Sequence, residues 1–179
     1  MKKLYLLRHA KSSWDDPSLD DHDRPLAPRG QKAVKAMNKH MKKAGVKPDL
    51  VLCSTARRAR ETYQGVYDAL HDIPVTFDEG VYTFSPKPLT HRLRKMTDAA
   101  DAVMLIGHNP ALESLALSLC HPDGSTPPAY RAMTEKYPTA ALAVIDLEIG
   151  SWKDVASGCG VLRAGCRCVP DCQVSVPAL

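Results

Sequence analysis

Leu4-Tyr5-Leu6-Leu7-Arg8-His9-Ala10 is an apolar run that reaches an arginine and a histidine. It then breaks into the polar segment Lys11-Ser12-Ser13. It reads as a buried strand that delivers Arg8 and His9 to the end of a sheet. Two lysines precede it, as in a signal peptide, but residues 4–7 fall short of the roughly 7–15 apolar residues such a segment needs. The expected location is therefore the cytoplasm.

Further strands follow the same plan. Asp49–Cys53, Pro74–Phe77, Ala102–Ile106 and Ala140–Leu147 are short apolar runs. Helical patterns separate them. Ala33, Val34, Met37 and Met41 recur at three and four residues in a helix expected over about 29–43, closed by Gly45. Ser54-Thr55 is suited to cap a helix over about 56–71. Further helices are expected over 88–98 and from Pro110 to about 120. Strands that alternate with helices and are apolar throughout predict an α/β domain with a largely parallel sheet covered on both faces. In such folds ligands bind beyond the carboxyl ends of the strands. His9, Ser54 and His108 all fall there. Residues 8–27 form a polar connection too long to be a plain turn, which marks it as functional.

The chain has 179 residues, 44% apolar and 25% charged, an ordinary balance for one domain with a full core. No apolar run approaches the roughly 18 residues of a membrane span. The net charge of +4 is spread along the chain, and the ten aromatic residues are scattered. That pattern suits an anionic ligand and argues against nucleic acid, which calls for a clustered basic stripe.

The expected edge collects Arg8 and His9, then Ser54 with Arg57, Arg58 and Arg60, then His108 and Asn109 at another helix start. Helix N-termini favour anions, and arginines offer forked donors that match a phosphoryl group. The pocket suits a compact, highly charged anion. A histidine there could hold the anion as a cation or attack phosphorus as a neutral nucleophile. Nearby arginines favour the neutral form, and a bound dianion favours the charged one. Arg57 and Arg60 lie three apart on one helix side and read as a solvated face, while Arg58 points elsewhere. His22, His40, His71, His91 and His121 sit in polar contexts and read as surface residues. For Trp14, packing of the long loop is expected.

Leu7-Arg8-His9-Ala10 resembles the Arg-His-Gly signature of the histidine phosphatase (phosphoglycerate mutase-like) superfamily, with Ala10 in place of the glycine. Ser54 to Thr62 resembles its Ser-x-x-x-Arg-Ala-x-x-Thr block, with Arg58 at the arginine. Gly107-His108-Asn109-Pro110 resembles its second histidine block. Arg24-Pro25-Leu26 with Arg29-Gly30 resembles its Leu-x-x-x-Gly helix start. The Arg-His-Ala-Lys-Ser form and the short length resemble the SixA-like phosphohistidine phosphatase branch, over about residues 1–156. The resemblance implies a phosphoglycerate mutase-like fold, a three-layer α/β/α sandwich. It implies a phosphatase in which His9 takes the phosphoryl group and water hydrolyses the phosphohistidine. Arg8, Arg58 and His108 would hold the phosphoryl oxygens, with Asn109 and Ser13 also binding substrate.

No cofactor or metal is implied. Larger relatives use a carboxylate after the second helix as an acid, and Glu79 is the candidate here. The implied substrate is protein phosphohistidine or a small phosphoester. The protein is expected to be a monomer, with no nucleic acid and no membrane as partners. A non-catalytic phosphate-binding module is the alternative. A mutase would need a retained acid and a lid, for which the chain is short.

The resemblance fades in the tail. Residues 1–157 read as the domain and 158–179 as a divergent, cysteine-rich segment. Val161-Leu162 suits the start of a closing strand, but Gly165 and Pro170 interrupt the pattern. Of six cysteines, Cys53 and Cys120 read as core residues. Cys159, Cys166, Cys168 and Cys172 have the spacing C-x6-C-x-C-x3-C, which does not match a paired C-x2-C zinc ribbon. Residues after about 168 are expected to pack poorly.

Overall fold

The computed structural model describes residues 1–120 and 128–166. Six strands form one sheet: β1 (Lys2–Arg8), β2 (Leu50–Ser54), β3 (Val75–Asp78), β4 (Ala102–Gly107), β5 (Leu142–Leu147) and β6 (Gly160–Cys166). Their order across the sheet is β3-β2-β4-β1-β5-β6. The pairs β3–β2, β2–β4 and β4–β1 are parallel. β5 runs antiparallel to β1, and β6 antiparallel to β5. The sheet is thus mostly parallel, with an antiparallel margin on one side.

Helices cover both faces. α1 (Pro28–Lys43), α2 (Arg57–Gly65) and α3 (Tyr67–Leu70) pack on one side, where Val34, Met37, Met41 and Leu70 meet Leu7, Val51 and Ile106. α4 (Pro86–Leu93), α5 (Ala111–Leu119) and α6 (Pro128–Glu135) pack on the other, where Leu89, Leu112 and Leu115 meet Leu4, Leu6 and Leu105. Both faces of β1 are therefore buried, which is why its sequence is apolar without alternation.

Several boundaries differ from the sequence reading for local reasons. The helix expected over 56–71 breaks at Val66, whose φ of −107° and ψ of 10° leave the helical region. Just before the break, Gly65 lies against the Val34 side chain, where a Cβ would collide. The helix expected at 88–98 begins earlier, because Pro86 takes its first turn, and ends at Leu93. Ser54 does not cap a regular helix start; its hydroxyl accepts from the Ala56 amide at 3.3 Å and also meets His108.

β6 pairs with β5 from Gly160 to Cys166, passing through Gly165, with a register shift opposite Val144 and Ile145. Gly165 therefore does not stop the strand, and the sheet extends into the cysteine-rich segment. Cys53 and Cys120 are buried free thiols, and Cys159 is half-buried. Cys168 and Cys172 lie outside the described residues, as does the expectation of poor packing beyond 168.

Candidate functional site

Parallel pairing sets the geometry of the site. Arg8 lies opposite Gly107, and Cys53 opposite Ile106. The carboxyl ends of β1, β2 and β4 therefore stand level: Ser54 closes β2, and His9 and His108 directly follow β1 and β4, so the three emerge side by side. The His9 amide donates to the Gly107 carbonyl at 3.0 Å. The two imidazole rings are neighbours, with centroids 4.9 Å apart and planes tilted by 51°.

Each ring has its tautomer set by its partners. His9 Nδ1 lies 2.8 Å from the Ala10 carbonyl, an acceptor only, so Nδ1 carries the hydrogen. Nε2 then keeps its lone pair, which faces Arg58 Nε at 3.4 Å. His108 is arranged the other way. Its Nδ1 accepts from Arg58 Nη2 at 3.3 Å, so Nε2–H donates to Ser54 Oγ at 2.7 Å. Burial brings the His9 pKa down to about 4, and Arg58 and Arg8 push the same way. Burial, then His9 and Arg58, bring His108 down to about 3. Both rings are neutral at pH 7 in the unliganded protein.

α2 delivers Arg58. Its buried face carries Arg58, Ala59, Thr62 and Tyr63, while Arg57 and Arg60 point outward. Arg57 pairs with Glu61 at 2.8 Å and Arg60 lies over the Phe77 ring, as a solvated helix face would. Thr62 locks the helix to β1: its hydroxyl donates to the Arg58 carbonyl at 2.6 Å and accepts from the Ala10 amide at 3.0 Å.

Arg8 reaches the same edge from β1. Its Nη1 donates to the Tyr137 carbonyl at 2.5 Å, and its buried Nε has no partner among the described residues. That leaves a free guanidinium donor close enough to the histidines to depress both of their pKa values.

The remaining sequence candidates stand differently. Asn109 Nδ2 is committed to Glu113 Oε2 at 2.7 Å and the Tyr137 carbonyl at 3.2 Å. It therefore braces the loop that holds Arg8 rather than offering a donor to an anion. Ser13 Oγ donates to Asp15 Oδ2 at 2.6 Å and lines a separate cavity of about 350 Å³ with Leu19, Leu26 and Arg57. Glu79 is exposed and makes no hydrogen bond to Arg8, His9, Arg58 or His108; its neighbour Asp78 faces Arg92 instead. Trp14 touches the loop with one face only: the ring lies on Arg24 of the same connection and is otherwise 70% exposed. His22 is half-buried rather than free, 3.0 Å from Thr55 Oγ1 and edge-on to Tyr82.

Two residues that sequence reasoning missed stand at the mouth. Asp21 Oδ2 accepts from Arg58 Nη2 at 2.9 Å and from the Tyr82 hydroxyl at 2.8 Å. Tyr82 in turn lies edge-on to His108 at 5.2 Å, with exposed Phe84 beside it. The length of the 8–27 connection was the signal for Asp21; nothing in the sequence singled out one of its five aspartates.

The matched pattern now has a structural counterpart. Residues 4–84 match the model of the histidine phosphatase superfamily (branch 1). The chain is 34% identical to an uncharacterized protein of Mycobacterium tuberculosis over 158 residues, 87% of this chain and 96% of that one. The chain belongs to the histidine phosphatase superfamily. Among solved histidine phosphatase folds, it superposes with a TM-score of 0.78 on a structure from Agrobacterium tumefaciens assigned as phosphohistidine phosphatase SixA, at 28% identity over 93% of this chain and 97% of that one. A SixA protein histidine phosphatase complexed with tungstate shares the fold at a TM-score of 0.68 and 23% identity, over 91% of this chain and 95% of that one.

As a member of this superfamily, the chain presents neutral imidazoles and arginine donors where a tetrahedral anion could sit. Among the described residues, no three His, Cys, Asp or Glu side chains converge as they would around a metal ion. None of its helices there is long and apolar enough to cross a membrane.

Proposed function

We propose that the protein is a phosphatase in which His9 takes the phosphoryl group, with protein phosphohistidine or a small phosphoester as substrate. The observation that carries this reading is the fixed tautomer of His9. The Ala10 carbonyl holds Nδ1–H, so the Nε2 lone pair points to the place between Arg58 and His108. A pKa near 4 keeps that lone pair available at neutral pH.

In the first step Nε2 attacks phosphorus in line, an N–P bond forms, and the bond to the leaving group breaks. Arg8 Nε and the Arg58 edge that faces the histidines donate to the equatorial oxygens. The dianion raises the His108 pKa, so His108 gains a proton and donates from Nδ1 as charge develops. In the second step water attacks phosphorus and the N–P bond breaks. The electron pair returns to Nε2, the proton of water goes to the departing phosphate, and His9 is neutral again. No carboxylic acid is needed when the leaving group is an imidazole, which departs more readily than an alkoxide. The likeness to the SixA-type structure from Agrobacterium supports phosphohistidine as the substrate class.

A substrate panel tests the reading: a phosphohistidine protein, free phosphohistidine and sugar phosphates, each against wild type and His9→Ala. Hydrolysis by wild type and its loss in His9→Ala are expected. Activity near the wild-type rate in His9→Ala contradicts the mechanism.

A further inference from the structure

The guanidinium of Arg58 is divided between two tasks. Of its five N–H groups, Nε and one hydrogen of Nη2 face His9 Nε2 and His108 Nδ1. The opposite side is taken by one residue. Nη1 donates to the Asp21 carbonyl, and the other hydrogen of Nη2 donates to Asp21 Oδ2 at 2.9 Å. Such a two-point clamp fixes both the position and the rotation of a planar fork.

We propose that Asp21 is a positioning residue that aims the Nε–Nη2 edge of Arg58 at the oxygens of a phosphoryl group bound between His9 and His108. This rests on the function proposed above.

Asp21 is itself held from three sides. Its Oδ1 accepts from Arg24 Nη1 at 2.8 Å, and its Oδ2 from the Tyr82 hydroxyl at 2.8 Å. Arg24, in turn, is buried and donates to Ser12 Oγ at 2.7 Å and the Ser13 carbonyl at 2.9 Å. The turn Asp21–Asp23 thus hangs from the segment just after β1, the same segment that carries His9. Nucleophile and anion clamp are tied together through the 8–27 connection, which carries His9 near its start and grips Arg58 of α2 through Asp21. Partial burial pushes the Asp21 pKa up, but the Tyr82 hydrogen bond and Arg58 outweigh it and bring it down to about 2. Asp21 is therefore ionised at working pH and has no proton to give a leaving group. Its carboxylate also lies outside the Nε–Nη2 edge, so an incoming phosphoryl group meets donors already aimed and need not evict it.

A four-member cycle tests the proposal: wild type, Asp21→Asn, Arg58→Ala and the double variant. Two quantities are read at pH 7, kcat/KM on the best substrate of the panel and the binding of inorganic phosphate by calorimetry. Asp21→Asn is expected to lower kcat/KM about 10- to 100-fold, the scale of a misaimed group, and to weaken phosphate binding, with the unfolding temperature nearly unchanged. In the Arg58→Ala background the same change is expected to cost less than about twofold, because Asp21 acts only through Arg58. Asp21→Glu keeps the charge and is expected to recover part of the loss. Tighter phosphate binding by Asp21→Asn would overturn the proposal, since Asp21 would then be a competing anion. Losses that multiply in the double variant would overturn it too. If wild type hydrolyses nothing, the proposed function fails, while the phosphate-binding cycle still tests the clamp.

Discussion

At the residue scale, identical side chains are given different states by their neighbours. His9 and His108 are both neutral, but a carbonyl puts the hydrogen of His9 on Nδ1 and a serine hydroxyl puts that of His108 on Nε2. The unfolded chain takes up protons on these rings near pH 6.5, whereas the folded chain resists until about 4 for His9 and about 3 for His108. Between those values the unfolded state binds more protons, so stability rises with pH and is lost as pH falls from 6.5 through 4. Thermal unfolding followed from pH 7 to pH 4 is expected to show that loss; a flat profile contradicts the depressed values. By the same shift, protonation of His9 is expected to place the acid limb of kcat/KM near pH 4, not near 6.5. Arg58→Ala is expected to cost about 3 kcal/mol of transition-state stabilisation, read as a fall of roughly a hundredfold in kcat/KM. The identities of His9, Arg58 and His108 were legible in the sequence because each follows or closely trails an apolar strand. Asp21 was not, because what selects it among its neighbours is the reach of Arg58 and Tyr82 from elsewhere in the chain.

At the element scale, the site depends on how α1 and α2 seat against the end of β1. Thr62 is fully buried and bridges the Arg58 carbonyl to the Ala10 amide. Thr62→Val keeps the shape and removes both bonds. It is expected to cost about 1–3 kcal/mol by leaving the Ala10 amide unpaired, with a fall in kcat as His9 and Arg58 lose their common anchor. Gly30, in the first turn of α1, sits against the Lys11 carbonyl, where a Cβ would collide with backbone. Gly30→Ala is expected to destabilise the protein by about 1–3 kcal/mol, measured by denaturant unfolding, because neither backbone segment can give way cheaply. The helix start at Leu26 to Gly30 was legible as a pattern; its physical reason, the approach of α1 to the loop after β1, was not. The break of α2 at Val66 had a local signal in Gly65, its last residue, but the close approach to Val34 that leaves no room for a Cβ there was not legible.

At the scale of the whole molecule, one parallel core of four strands brings His9, Arg58 and His108 to a common edge from about 50 and 100 residues apart. Alternating strands and helices made that edge predictable. The antiparallel margin was harder to read, because Gly165 and the cysteines mask the strand in composition. β6 covers β5 and buries Leu162. Ending the chain after Ser157 is expected to destabilise the protein by at least about 2 kcal/mol from Leu162 alone and to promote association through the bared β5 edge. Unfolding and size-exclusion measurements on that truncation check this. The central claim, that this edge is a phosphoryl-transfer centre with His9 as nucleophile, is tested most directly by trapping the intermediate. Wild-type protein would be mixed with a labelled phosphohistidine protein, quenched in base within a single turnover and mapped by mass spectrometry. Phosphate on Nε2 of His9, absent from His9→Ala, is the predicted result. Hydrolysis of the substrate with no covalent phosphate on His9 would contradict it, and phosphate binding without turnover would make the protein a binding module instead.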